Sequence, residues 1–257
     1  MTQPESFPGL HAWFDTPLGR YVTAWETARF DALVADIFGY NALQLGAPEF
    51  DFLRANRMPF RFTAGSGRVQ VEADYTALPF AAASLDLVVL PHVLEFASHP
   101  HQVLREVERV LVPEGQVVIA GFNPLSLFGL RCRLAGETAG YPWHGQYLSL
   151  RRLKDWLALL GFETGLQASG CFAPAVDQQR WLDRLTWLDC AGERWWPIGG
   201  GVYIIQAIKR VHSMRLIMPK WGQRAAGRAL APLIQKAGGP SKGCSRKSTD
   251  ERNSGRD

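Results

Sequence analysis

His92 and Glu95 stand three residues apart in the run Pro91-His-Val-Leu-Glu-Phe96. On a helical turn that spacing puts an imidazole and a carboxylate on one face, a pair able to act together as a general base toward a bound molecule. The same histidine at a strand end also suits plain packing or capping. His99 and His101 flank Pro100 and read as surface residues; a metal site there lacks a third ligand, and no metal is expected. The four cysteines, Cys132, Cys171, Cys190 and Cys244, form no CxxC pair, which argues against a zinc ribbon, a thioredoxin-type motif and a disulfide framework. Asp86 lies inside an apolar run, where an unpaired carboxylate is costly, so it is expected to bond neighbouring backbone. Glu106 and Arg109 are expected to form a solvated helix face with weak local ion pairs. Trp181, Trp187, Trp195 and Trp196 either line an apolar pocket or fill a core.

The elements that must position these residues show in the hydrophobic pattern. From Tyr21 to Phe38, Val22, Trp25, Leu33, Val34, Ile37 and Phe38 fall near one helical face, with Gly39 placed to end the helix. Asn41 to Gly46 is a short strand, Phe50 to Arg57 a helix ended by Pro59, and Arg61 to Thr63 a weak second strand. A turn at Gly65-Ser-Gly67 leads to a strand over Arg68 to Ala73. Leu85 to Leu90 is nearly continuous in apolar residues, as in a strand buried on both faces. His99 to Leu111 is an amphipathic helix stopped by Pro113-Glu-Gly115, and Gln116 to Ala120 is another buried strand. Strand, helix and strand at this spacing form a βαβ unit with a parallel sheet. Gly121 to Gln146 reads as loop. Leu148 to Leu160 is a helix with Ser149 as cap and Gly161 as stop, Phe162 to Ala168 a strand, and Val202 to Ile208 a strong late strand. Residues 169–200 give no clear period.

An open parallel α/β sheet binds ligands at the carboxyl ends of its strands, beside the point where the strand order reverses. That places Gly46, Asp74-Tyr75, Pro91-His92 and Phe122-Asn123 in view. The stretches Ala73-Asp-Tyr-Thr-Ala-Leu-Pro-Phe80, Ser84-Leu-Asp-Leu-Val-Val-Leu90 and His101-Gln-Val-Leu-Arg-Glu-Val-Glu-Arg-Val-Leu-Val-Pro-Glu-Gly115 resemble the class I S-adenosylmethionine-dependent methyltransferases. They are closest to the subgroup that includes ubiquinone, menaquinone and biotin-precursor methyltransferases. The phrases Pro91 to Phe96 and Gly121-Phe-Asn-Pro-Leu-Ser-Leu127 resemble a proteobacterial branch of that group. The resemblance implies an α/β, Rossmann-like fold with a seven-stranded, mostly parallel sheet, here preceded by an N-terminal helical cover. It implies S-adenosylmethionine as cofactor and a small or lipid-like molecule as methyl acceptor. By the same resemblance Gly46 lets the backbone approach the cofactor, Asp74 bonds the adenine amino group, Tyr75 supplies a neighbouring backbone contact, and Leu90 and Pro91, with His92, line the sulfonium end. Asn123, Trp143 and His144 fall where that family builds its substrate lid.

The sequence also departs from the family. The glycine-rich loop, roughly D-x-G-x-G-x-G, is here Gln44-Leu-Gly-Ala-Pro-Glu-Phe50, and only Gly46 survives. The acidic residue that ends the second strand and holds the ribose is missing from Arg61-Phe-Thr-Ala-Gly65. A buried ribose hydroxyl left unpaired costs ~1–3 kcal/mol, and two such losses weaken binding by ~10²-fold. Two functions from different classes follow: a methyltransferase, or a non-catalytic binding or regulatory protein that keeps the fold. A nicotinamide dehydrogenase lacks support, because no G-x-G-x-x-G follows the first strand.

Composition bounds the rest. At 257 residues and 47% hydrophobic the chain can bury a core. The net charge of +4 hides an asymmetry: residues 209–257 hold 12 Lys and Arg against 3 Asp and Glu, so the body is mildly acidic. The expected organisation is a cover over 1–38, an α/β domain over 39–210, and a basic, largely disordered tail over 211–257 with an amphipathic helix at 221–236. The tail suits weak contact with an anionic membrane or phosphates; no specific nucleic-acid partner is expected. With no apolar run of transmembrane length and no leader pattern, the expected location is the cytoplasm.

Overall fold

In the computed structural model, residues 8–135, 140–175, 177–184, 187–195 and 199–211 are described below. Backbone contacts divide the chain into Met1–His212 and Ser213–Asp257. The expected 221–236 helix and the disordered end lie outside the described residues. Among the described residues no helix is long and apolar enough to cross a membrane.

The chain opens with helices α1 (Pro8–Phe14) and α2 (Pro17–Val34). Strands β1 (Asn41–Leu45), β2 (Phe60–Gly65), β3 (Val71–Glu72) and β4 (Leu85–Pro91) follow, then helix α3 (Pro100–Val110) and strand β5 (Leu111–Phe122). Helices α4 (Leu127–Ala135) and α5 (Leu150–Leu159), strand β6 (Phe162–Gly170), helices α6 (Gln179–Arg184) and α7 (Trp187–Trp195) and strand β7 (Val202–Lys209) complete it. The sheet runs β3-β2-β1-β4-β5-β7-β6. The first five strands pair in parallel, and β7 is antiparallel to both β5 and β6. The order reverses between β1 and β4, so the carboxyl ends of these two strands flank the crevice where such sheets bind ligands.

Both faces of β4 and β5 are covered, which explains their continuous apolar runs. One face meets α3 and α5: Val88, Leu90, Val117 and Ile119 cluster with Val103, Leu104, Leu153 and Leu157. The other face carries Leu87, Val89, Val118 and Ala120 against Phe30, Val34, Phe52 and Leu53. Asp86 escapes both layers. Its Oδ2 accepts from the Tyr40 and Asn41 amides at 2.9 Å each, so it is structural, as its position suggested.

Several boundaries differ from the sequence reading, each for a local reason. Helix α2 ends at Val34 instead of Phe38, because the buried Asn56 amide donates to the carbonyls of Val34 (2.7 Å) and Ile37 (3.0 Å) and turns the chain there. Residues 50–57 form turns, not a helix. There the side chains of Gln44, Asp51 and Asn56 bond backbone N–H groups that a helix would use itself. Strand β3 is two residues long, shorter than the expected 68–73. Helix α3 stops at Val110, because Leu111 already turns into extended backbone and begins β5, ahead of the Pro113-Glu-Gly115 stop. Helix α4 lies inside the stretch expected to be loop. It is started by Ser126, whose Oγ accepts from the Gly129 amide at 3.2 Å. Ser149 caps α5 as expected, accepting from Arg152 N at 3.3 Å, and Gly161 follows α5 with φ +81°.

Candidate functional site

The crevice at the ends of β1 and β4 is built from a loop that glycine alone does not hold. Gly46 has φ +78° and its amide donates to Ala64 O, so its backbone turns left-handed at the end of β1. The loop beyond it is organised by Gln44, which is fully buried. Its Nε2 lies 2.8–3.1 Å from the carbonyls of Gly46, Ala47 and Phe50, and its Oε1 accepts from Phe52 N at 3.0 Å. A glutamine at the family's acidic position therefore staples the loop closed through its own backbone. Replacing Gln44 with leucine strands these partners in the interior and is expected to cost about 2–3 kcal/mol, read from urea unfolding. A loss under 1 kcal/mol would mean that the loop keeps its shape without the staple.

Tyr75 sits across the crevice. Only 3% of it is exposed. A Cβ on Gly65 would lie 2.6 Å from its phenol oxygen, and one on Gly46 would lie 3.6 Å from it and 2.9 Å from Val93 Cγ2. The phenol thus fills the space between the ends of β1 and β2, which two glycines leave free. Asp74 beside it is half-buried. Its Oδ1 accepts from Thr76 N and Thr76 Oγ1 at 2.8 Å each. Leu90 and Pro91 are buried at the end of β4, with Pro91 O next to Gly46.

Glu106 and Arg109 do more than decorate a helix, which corrects the sequence reading. Glu106 accepts from the Leu78 amide at 3.0 Å and from Arg109 at 2.8 Å and 3.0 Å, while Arg109 donates to the carbonyls of Phe80 and Leu78. The pair clamps the Leu78-Pro-Phe80 segment onto α3 and so fixes where Asp74 and Tyr75 emerge. Hydrogen bonding from Arg109 holds the Glu106 carboxyl below its usual pKa. That stabilisation is present above the ordinary carboxylate range and is lost as pH falls through the lowered value. Glu106→Ala is expected to cost about 1–2 kcal/mol, a figure reduced by the partial exposure of Arg109. The loss should shrink in melts run from about pH 7 down to pH 3.

His92 and Glu95 do meet, and a third group joins them. His92 Nδ1 is 3.0 Å from Glu95 Oε1, and Nε2 is 2.5 Å from Oε1 of Glu26 on α2. The imidazole is 1% exposed and stacks on Phe122 at 4.2 Å, with backbone φ +53°. Burial alone lowers its pKa, but the charge and hydrogen bond of Glu26, then the hydrogen bond and charge of Glu95, outweigh that and push it up to about 10. His92 is therefore an imidazolium between two carboxyl groups, donating from both nitrogens. Glu95 Oε1 also accepts from Phe122 N at 2.8 Å. A general base needs a free ring nitrogen reached by substrate, and this one has neither. The triad instead ties α2 to the ends of β4 and β5. Sequence reasoning missed Glu26; the signal was a lone acid in the stripe Val22, Glu26, Phe30, Val34, all of which are buried.

The residues expected to touch substrate separate. Asn123 Nδ2 donates to Gly200 O at 3.0 Å and Oδ1 accepts from Leu125 N, so its amide shapes the turn after β5. Trp143 is buried among Trp13, Phe128 and the Arg131 guanidinium, which lies 4.3 Å from its ring centroid. His144 is exposed beside Tyr141 and Phe96. Trp181, Trp187 and Trp195 are surface side chains, Trp195 with 83% exposure, and so belong to neither a core nor an enclosed pocket; Trp196 lies outside the described residues.

The fit to S-adenosylmethionine divides at the ribose. At the adenine end, Asp74 is half-buried at the turn after β3, one of its oxygens committed to Thr76. At the ribose end, no carboxylate closes β2, and the Tyr75 phenol fills the room between Gly46 and Gly65. The residues present fit the adenine end better than the ribose end.

Comparisons with known proteins agree with the architecture. The family model described as a methyltransferase domain matches residues 54–119, from just beyond the stapled loop into β5. A methyltransferase of Thermotoga maritima superposes with TM-score 0.58 at 15% identity, covering 78% of this chain and 94% of that one. One of Archaeoglobus fulgidus gives 0.53 at 17% identity, covering 72% and 94%. The fold is that of the class I S-adenosylmethionine-dependent methyltransferases, and the matched segment is similar to their methyltransferase domain. The chain belongs to the family of the uncharacterized protein YafS of Escherichia coli K12, with which it is 32% identical over 163 residues, 62% of this chain and 68% of YafS. An uncharacterized Mycobacterium tuberculosis protein is 28% identical over 165 residues, a match spanning 56% of its length.

Proposed function

We propose that the protein is an S-adenosylmethionine-dependent methyltransferase of the cytoplasm, acting on a small or lipid-like molecule, whose cofactor crevice is self-occupied until Tyr75 turns out. The observation that supports this reading is the strand order, whose reversal point between β1 and β4 is flanked by the left-handed Gly46 and by Pro91. Asp74 would hold the adenine amino group, and the left-handed Gly46 backbone would pass beside the cofactor. The bound cofactor supplies an electrophilic methyl group. The chain's part is to position the acceptor and exclude water. The His92 triad supports this by holding α2 over the site, as a positioning element.

One observation favours a second reading, a binding protein that keeps the fold without methyl transfer: Gln44 and Tyr75 fill with protein atoms what the family leaves for its ligand. Calorimetry of the intact chain with S-adenosylmethionine and S-adenosylhomocysteine separates the two. Micromolar binding that Asp74→Ala abolishes supports the methyltransferase. No heat at millimolar ligand, in both the wild type and Tyr75→Ala, overturns it in favour of the binding protein.

A further inference from the structure

A second cleft, of about 560 Å³, opens between the amino end of α5 and strands β6 and β7. Arg151 and Lys154 line it, and neither has an ion-pair or hydrogen-bond partner among the described residues. Ser149 caps the amide of Arg152, so the amides of Leu150 and Arg151 precede the capped one and have no acceptor within the helix. The cleft is also lined by Tyr203, of which 2% is exposed. Its hydroxyl has no hydrogen-bond partner among the described residues, and burial, then the charge of Glu95, keeps the phenol protonated. It rests over Gly121, where a Cβ would come within 2.7 Å of the phenol oxygen. That oxygen is not among the sealed, unpartnered polar atoms of the interior, so it keeps the access needed to bond a molecule in the cleft. Leu125, Leu150 and Ala168 give the wall an apolar share beside the polar Asn123, Ser149, Gln167 and Ser169.

We propose that this cleft binds a small organic anion with an apolar body, its carboxylate or phosphate headgroup set against Arg151, Lys154 and the first amides of α5, and its polar edge bonded to the Tyr203 hydroxyl. The volume falls within the range of small-molecule sites, about 300–1,000 Å³. Two unpaired cations and a helix amino end act on the same headgroup. Asp155 is the one acid among the lining residues, and it leaves the mouth net positive. The inference uses none of the residues that crowd the Gly46 crevice and does not depend on methyl transfer.

The test is amide-resolved NMR of the full chain titrated with octanoate, octyl phosphate and, as the uncharged control, octanol. Saturable shifts at Leu150, Arg151, Ser169 and Tyr203 are expected with either anion, and the tighter of the two names the headgroup. The double variant Arg151→Glu, Lys154→Glu should weaken binding by about tenfold or more, while leaving the melting temperature unchanged. Tyr203→Phe should weaken it severalfold. Equal binding of octanol, affinity within twofold in the charge-reversed variant, or no saturable shifts at millimolar anion would each overturn the proposal.

Discussion

Replacing His92 with glutamine is expected to lower the unfolding free energy by about 3–5 kcal/mol. The imidazolium is enclosed by Glu26 on one side and Glu95 on the other, and each of these has its second oxygen buried without a partner. Taking the cation away leaves two carboxyl groups facing each other in a dry site. The histidine's pKa of about 10 in the fold, against 6.5 for the free side chain, also fixes how stability follows pH. Its contribution is complete below about pH 6.5 and is lost as pH rises through about 10. Urea midpoints of the wild type should therefore decline across that interval, and those of His92→Gln should not show that decline. A variant within 1 kcal/mol of the wild type, with the same alkaline slope, would show that the triad contributes little.

Tyr75→Ala should trade stability for ligand affinity. Removing a buried aromatic ring costs about 3–5 kcal/mol. The space released lies between Gly46 and Gly65, where the family resemblance places the ribose. On the proposed function, binding of S-adenosylhomocysteine is expected to tighten by about tenfold or more, because the variant would not spend free energy moving the ring aside. Tyr75→Phe keeps the plug and should bind as the wild type does. If Tyr75→Ala loses stability and gains no affinity, the crevice does not take this cofactor.

Sequence pattern alone carried the centre of the fold. Leu85 to Leu90, His99 to Leu111 and Gln116 to Ala120 became β4, α3 and β5 because each has a long, one-sided or two-sided apolar pattern that tertiary contacts only reinforce. Where side chains bond the backbone, the pattern misleads. Gln44 and Asn56 turned an expected helix at 50–57 into a stapled coil, and Ser126 started α4 in a stretch whose exposed leucines show no core-facing stripe. The site was legible as positions and not as partnerships. The pairing of His92 with Glu95 follows from a spacing of three, whereas Glu26 lies 66 residues away in sequence and had to be brought there by packing. The Tyr75 ring illustrates the same limit, since no local pattern tells whether a tyrosine at a loop start points into a crevice or out of it.

The place of β7 in the sheet bears on how the chain leaves the ribosome. This last strand of the described fold is internal, hydrogen-bonded to β5 on one side and β6 on the other. Strand β5 is finished at Phe122 and β7 begins at Val202, so about 80 residues must be added before β5 finds its outer neighbour. At 5–20 residues per second that is roughly 4–16 s of synthesis. During that time a 12-residue strand with a largely buried apolar sequence presents an open edge. A nascent chain stalled between β5 and β7 is thus the species on which a chaperone has most to protect, and a truncation ending before Val202 should aggregate although β1 to β5 are complete.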